Sequence, residues 1–318
     1  MNSRRDFLKT FAAASGVMAF APDMLAASEA GKKLFFEISL AEWSLHKAIF
    51  GGQMTNLDFP VKARKDFGIG IVEYVNTCFK SSSKDFKENG KDSAYLKELL
   101  MRCNDNGVKN HLIMCDAEGD MGDSDEKKRL QTVDNHKKWV EAAKFLGCKT
   151  IRVNAGGKGS AEEVAKNAAD GLAKLSEFAA TMKINVIVEN HGGYSSNGEW
   201  LTGVMKAVNM KNCGTLPDFG NFCIKRDAAN WRTCLDEYDR YKGVKELMPF
   251  AKGVSAKTNV FDADGNERNI DYVRLMKIVK EAGFKGIVGI EFEGEELSED
   301  EGIKATLKLL QKVGGILS

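Results

Sequence analysis

Short apolar runs recur along the chain at 34–40, 69–75, 108–115, 150–154, 184–189, 214–218, 253–257 and 287–292, mostly rich in Val, Ile and Leu. Such density in so few residues predicts buried strands. The stretches between them carry the other period. Tyr95-Leu96-Leu99-Leu100 and Trp139-Ala142-Ala143-Leu146 set apolar side chains three and four apart, on one face of a helix. Several helices are expected to close on a glycine just before the next strand, at Gly68, Gly107, Gly147 and Gly283, where a left-handed cap is needed. Units repeating every roughly 30 to 42 residues are too long for most solenoids and suit βα units. They predict an α/β fold, a single-domain (β/α)8 TIM barrel over 34–318. A doubly wound sheet is the weaker alternative, because it leaves open edges.

In such a barrel the chemistry sits at the carboxyl ends of the strands. The predicted strands end in Glu73 and Asn76, Asp116, Asn154, Glu189 with Asn190 and His191, Asp218 with Asn221, Lys257 with Asn259, and Glu291 with Glu293. The fifth to the eighth therefore all end in an ionisable group. The fifth is the focus: Ile184-Asn185-Val186-Ile187-Val188 leads through Glu189, Asn190 and His191 into Gly192-Gly193, as a buried strand delivering polar groups to a site would. Glu189, Asp218 and Glu291 or Glu293 are expected to converge on the mouth. Carboxylates brought together in a dry pocket repel unless a cation neutralises them or one stays protonated. A divalent metal is the simplest holder; oxygen ligands favour Mn²⁺ or Mg²⁺, and a histidine would favour Zn²⁺. The blander reading has one or two of these acids capping the next helix, although Glu is not a common N-cap.

Val188-Glu189-Asn190-His191-Gly192-Gly193, Leu216-Pro217-Asp218-Phe219-Gly220-Asn221, Gly253-Val254-Ser255-Ala256-Lys257 and Gly289-Ile290-Glu291-Phe292-Glu293-Gly294 resemble the successive strand ends of the sugar phosphate isomerase/epimerase superfamily, the xylose-isomerase-like barrels. The likeness runs over the whole of 34–318. It implies a divalent metal held by Glu189, Asp218 and Glu291, with Glu189 and Glu291 flanking the substrate as acid and base. It departs at the seventh strand, where the expected histidine is Lys257, and a protonated lysine is a poor ligand. Three arrangements follow. His191 joins the coordination sphere; or carboxylates and water hold the metal, with Lys257 beside it as proton carrier or electrophile; or Lys257 replaces the metal's charge. The implied reaction is proton abstraction next to the carbonyl of an unphosphorylated keto-sugar or sugar derivative, leading to isomerisation, epimerisation or elimination.

Other polar residues are expected to meet the substrate. Arg152 and Asn154 alternate on the fourth strand, His46 and Trp43 follow the first, Glu293 ends the eighth, and His136 sits on a helix that could aim it inward. His111 starts the third strand, at the end away from the site, and reads as structural. Tyr74, Phe219 and Trp200 are further stacking candidates, against the simpler reading that they fill core. Asn154-Ala155-Gly156-Gly157-Lys158-Gly159 lacks the spacing of a P-loop. It reads as a loop approaching a ligand closely, or as plain turn geometry.

Ser3-Arg4-Arg5-Asp6-Phe7-Leu8-Lys9, then an Ala-rich apolar run and Leu25-Ala26-Ala27, resembles a twin-arginine export signal. The expected division is a signal over 1–27, a linker over 28–33 and the barrel beyond, in a periplasmic protein. The alternative is a basic tail that stays on. Removing 1–27 takes three basic and two acidic residues from a chain of net charge +1, leaving none. A neutral chain with 4 histidines lacks the basic surface and zinc ligands of a nucleic-acid-cutting relative such as endonuclease IV. A small carbohydrate is the expected partner, with no nucleic acid and no membrane span after the signal; nothing in the sequence fixes an oligomeric state. The 7 cysteines are scattered without a C-x-x-C pair, which argues against a disulfide framework and reads them as small core residues. Two rival functions stay open: a non-catalytic sugar-binding barrel, and a Schiff-base aldolase using Lys257.

Overall fold

A computed structural model describes residues 33–80 and 84–318. The expected export signal over 1–27 lies outside the described residues. The elements run β1 (Glu37–Ala41), α1 (His46–Phe50), α2 (Phe59–Phe67), β2 (Ile71–Val75), α3 (Phe86–Asn89), α4 (Ser93–Asp105), β3 (Lys109–Met114), α5 (Glu126–Leu146), β4 (Thr150–Val153) and α6 (Ala161–Thr181). There follow β5 (Asn185–Glu189), α7 (Gly198–Val208), β6 (Cys213–Leu216), β7 (Cys223–Arg226), β8 (Cys234–Glu237), α8 (Arg240–Leu247), β9 (Val254–Thr258), α9 (Tyr272–Glu281), β10 (Ile287–Phe292) and α10 (Glu299–Leu317). Each of the eight predicted strands is present. Gly68 and Gly147 cap α2 and α5 with φ of 70° and 81°, a region that a side chain bearing Cβ avoids.

Eight parallel strands pair in the order β6-β5-β4-β3-β2-β1-β10-β9. The two ends of that sheet meet through isolated parallel bridges, Thr215 with Ala251 and Asp218 with Ser255, so the sheet closes on itself as a (β/α)8 barrel. Among the described residues no helix is long and apolar enough to cross a membrane.

The pleat sorts each strand into two faces. Leu40, Tyr74, Ile113, Ile151, Val188, Ala256 and Ile290 point outward into the large core under the helices. Their neighbours Ala41, Val75, Leu112, Met114, Ile187 and Leu216 form a small plug inside the barrel. The inward set turns polar towards the strand ends, and that change places the site.

The cysteine expectation needs a correction. Cys78, Cys103, Cys115, Cys148 and Cys213 are free and buried, but Cys223 and Cys234 form a disulfide. It closes a two-stranded antiparallel hairpin, β7 with β8, inserted between β6 and α8. These strands are short and half exposed, so they bury too little apolar surface to show as strands in the sequence. Without an inward face to fill, their cysteines serve as a cross-link rather than as core.

Glu42, just after β1, is wholly buried, accepting hydrogen bonds from the Val75 N–H at 2.9 Å and Asn56 Nδ2 at 2.8 Å. Burial pushes its pKa from 4.5 up to about 8 against the pull of those two donors. Because the folded value lies above the unfolded one, the stabilisation is full below about pH 4.5 and is lost as pH rises through about 8. Chelator-treated protein should therefore lose melting temperature from about pH 5 to about pH 9, and Glu42→Gln should flatten that fall. An unchanged slope in the variant would assign the dependence to other groups; each kcal/mol is worth about 2–4 °C at this size.

Candidate active site

The carboxyl ends of β5, β6 and β10 bring Glu189, Asp218 and Glu291 together. One carboxylate oxygen from each lies within 4.8 Å of the others, and all three side chains are buried. Glu189 Oε1 accepts from Asn221 Nδ2 at 3.1 Å, and its Oε2 faces Arg152 Nε at 2.9 Å, off the hydrogen-bond axis. Asp218 Oδ1 accepts the N–H groups of Gly220 and Asn221, both at 2.8 Å, while its Oδ2 has no hydrogen-bond partner. Glu291 Oε2 accepts from Ser255 Oγ at 2.8 Å. Asn190 ties the loops: its Nδ2 donates to the Asp218 and Asn221 carbonyls, and its Oδ1 accepts from the Asp218 N–H.

Two fixed cations serve this acidic mouth. Arg152 on β4 also pairs with Asp116 at 2.7 Å. Lys257 on β9 lies 3.2 Å from Glu291 and 3.3 Å from Glu293, and 3.4 Å from Asn221 Oδ1. Its stem is pressed by the loop after β6, where a Cβ on Gly220 would stand 2.9 Å from Lys257 Cδ. Burial lowers the Lys257 pKa, but Asp218, Glu291 and Glu293 together raise it well above the ordinary lysine value, so it is an ammonium at neutral pH. Burial raises Glu189 to about 7 despite Arg152, and Asp218 to about 7 despite Lys257. Asp116 is pushed up by burial and drawn further down by Arg152, to about 2. Arg152 and Lys257 thus leave the set short of positive charge, and burial favours the protonated forms of Glu189 and Asp218.

Three buried carboxylates with neighbouring oxygens, two of which lack a hydrogen-bond partner, fit a hard divalent cation. His191 is not in this set. β5 stops at Glu189, and the chain turns as the His191 and Gly192 N–H groups donate to Ser195 Oγ and Ser196 Oγ, leaving His191 exposed. Partial desolvation of its ring beside the mouth, then the charges of Arg152 and Lys257, lower its pKa below the ordinary histidine value.

The remaining expected residues divide. Trp43 Nε1 donates to Glu293 Oε1 at 2.5 Å, and the His46 ring stacks on Trp43 with centroids 4.8 Å apart. Asn154 Nδ2 donates to Asp116 Oδ1 at 2.8 Å, joining the Arg152 network. His136 lies in the middle of α5, buried, with Nδ1 2.7 Å from the Thr132 carbonyl. Tyr74 and Phe219 are fully buried in the outer core, and Trp200 Nε1 donates to the Ala161 carbonyl. The glycines after β4 make their close approach to a neighbouring loop: the Gly122 N–H donates to the Gly156 carbonyl at 2.7 Å, and a Cβ on Gly157 would meet the Gly122 oxygen at 2.3 Å. Asn221, Asp116 and Ser255 carry more of the network than their sequence context advertises. Their signal was position alone, at or near inward-facing strand ends.

The model of the family described as xylose isomerase-like TIM barrel matches residues 61–313. No curated protein matches the chain significantly. Among solved structures, a D-tagatose 3-epimerase-like protein is 18% identical with a TM-score of 0.66, covering 89% of this chain and 100% of its own. The IolI protein, solved with a bound zinc atom, is 19% identical with a TM-score of 0.65 over 87% and 98%. A 3-keto-D-glucoside 4-epimerase from E. coli is 15% identical with a TM-score of 0.63 over 87% and 99%. At such identities the likeness is one of fold.

Removing one member of a buried ion pair costs about 3–5 kcal/mol. Lys257→Met should destabilise the metal-free protein by about that much, and added Mn²⁺ should raise the variant's melting temperature more than the wild type's. Equal rises would mean that Lys257 and a dication do not share the same carboxylates.

Proposed function

The chain belongs to the xylose isomerase-like TIM barrel family, and from that premise we propose that it is a sugar isomerase or epimerase, or an enediolate-forming lyase on the same chemistry. Its substrate would be an unphosphorylated keto-sugar or sugar derivative. The observation that carries this reading is the meeting of Glu189, Asp218 and Glu291 at the mouth, within 4.8 Å of one another and buried. These three would hold a divalent metal, Mn²⁺ or Mg²⁺ by ligand type, with Zn²⁺ also compatible. Bound there, the metal would polarise a substrate carbonyl and favour loss of a proton from the adjacent carbon.

The chain's own groups account for the rest. Glu189 and Glu291 stand on β5 and β10, which flank β6 and β9, and a sugar lying over the pair would present one carbon to both carboxylates. One takes the proton; return from the other side inverts the centre, and return to the neighbouring carbon moves the carbonyl. Without a cation, burial holds the Glu189 carboxyl up at about 7; beside a bound dication it would give up that proton and stand as a carboxylate able to serve as base. The Lys257 ammonium, with Nζ between Glu291 and Glu293, would neutralise charge developing on the substrate oxygen. A lysine held charged is a poor amine nucleophile, which weighs against the Schiff-base reading. Trp43, His46 and Glu293 would form one wall for the sugar, and Arg152 with Asn154 another. His191, exposed on the rim, would exchange protons with solvent.

The arginine pair near the N-terminus supports export to the periplasm by the twin-arginine route, and the Cys223–Cys234 disulfide suits an oxidising compartment. Export would also favour a free sugar over a sugar phosphate.

The test is incubation of metal-loaded protein with D-fructose, D-tagatose and D-psicose in deuterated water, followed by NMR. Solvent deuterium should enter carbon next to the carbonyl. Glu189→Gln and Glu291→Gln should each slow this by about 10²–10⁴-fold, the usual worth of a positioned acid or base, and chelation should abolish it. Sugar binding without any exchange would leave a non-catalytic binder instead.

A further inference from the structure

The β7–β8 hairpin has no part in closing the barrel, yet both of its ends lie beside residues that lead into the mouth. β7 begins two residues after Asn221, whose side chain donates to Glu189. Near its tip, Arg232 pairs with Glu295 at 3.2 Å, two residues beyond Glu293. The hairpin therefore spans the rim from the loop after β6 to the loop after β10. The tip is itself built: the Asp227 N–H donates to the Thr233 carbonyl at 2.9 Å, the Ala229 N–H to Asp227 Oδ1 at 2.8 Å, and the Arg232 N–H to Asn230 Oδ1 at 3.2 Å. A lone two-stranded hairpin is marginal in water, and here the Cys223–Cys234 disulfide holds it.

What this tip presents is Trp231, 68% exposed. The Arg226 guanidinium lies 5.5 Å from its ring centroid, covering one face and leaving the other to solvent. An indole kept in water contributes almost nothing to folding. Beside the rim, with two rotatable side-chain bonds, it offers a large contact area for little loss of side-chain freedom on binding. Its surroundings, Arg226, Asp227, Asn230 and Arg232, are polar, which suits a ligand with an apolar face and a hydroxylated edge.

We propose that Trp231 is a stacking platform for a second sugar ring, so that the substrate is a glycoside or short oligosaccharide whose keto-sugar end enters the mouth. The proposal rests on the keto-sugar reading of the mouth given above. The C–H face of the outer ring lies on the indole and its hydroxyls stay in water.

The experiment follows the four indole N–H signals of the full, disulfide-bonded chain by ¹⁵N NMR, assigned with single Trp→Phe variants. D-fructose is titrated against three disaccharides that end in fructose: lactulose, maltulose and isomaltulose. Fructose should move the Trp43 signal only. At least one disaccharide should move Trp231 as well and bind about tenfold more tightly than fructose, as one aromatic contact of ~1.4 kcal/mol would give. Trp231→Ala should erase that preference. A Trp43 shift with Trp231 still for every disaccharide overturns the platform and leaves the mouth reading standing. A Trp231 shift with a disaccharide, but no solvent exchange into any sugar, keeps the platform and removes the enzymatic reading. No shift at either indole removes both. A Trp231 shift that follows protein concentration without sugar overturns the platform in favour of self-association.

Discussion

Charge compensation inside the barrel mouth is the constraint from which the rest follows. Asp116, Glu189, Asp218, Glu291 and Glu293 crowd a space where only Arg152 and Lys257 are permanently cationic. Burying carboxylates without a counter-charge is too costly to persist. The excess must be carried by protons or by a bound cation, and the values near 7 for Glu189 and Asp218 express that choice. The loops around the mouth are arranged accordingly: Asn190 and Asn221 each bridge two strand ends, and Ser255 supports Glu291 from below. Apolar packing fills the outer layer; electrostatics arrange the inner one.

The division of labour follows a pattern expected of barrels, in which rigid strands carry the reacting groups and loops decide what reaches them. The strand ends here keep the acidic set implied by the resemblance and change one member, placing Lys257 where a histidine was expected. That change exchanges a neutral ligand for a resident positive charge paired with Glu291 and Glu293. A fold shared at 15–19% identity does not transfer an activity, so the argument about function has to run through such particulars.

Much of this was legible in the sequence because two periods are easy to tell apart. The eight strands stand where the apolar runs lie, and alternation along them sends Glu189, Lys257 and Glu291 inward once the barrel is assumed. The same alternation already held the answer for Tyr74, which lies between Glu73 and Val75 and so must face outward into the core. Phe219, next to Asp218, ends in the same layer. Other features were illegible for physical reasons. His191 leaves the cluster because its own N–H and that of Gly192 donate to Ser195 Oγ and Ser196 Oγ, turning the chain straight after Glu189. The hairpin is held by a covalent bond and turn hydrogen bonds, neither of which leaves an apolar rhythm. Asn221 became a hub through the loop geometry that lets its backbone serve Asp218 and its side chain serve Glu189.

Between β6 and β9 the ladder thins to the bridges Thr215–Ala251 and Asp218–Ser255, held by the Lys252, Ser255 and Phe219 N–H groups donating to the Thr215, Pro217 and Ser255 carbonyls, whereas the other neighbouring pairs are longer ladders. The acidic cluster straddles this seam, with Glu189 and Asp218 on one margin and Lys257 and Glu291 on the other. Whatever lodges between them ties the two margins together a second time, on top of the backbone bonds that already close the cylinder. The thinnest join of the cylinder thus lies directly under its chemistry, and a ligand that bridges the two margins stabilises the fold by the free energy of its own binding.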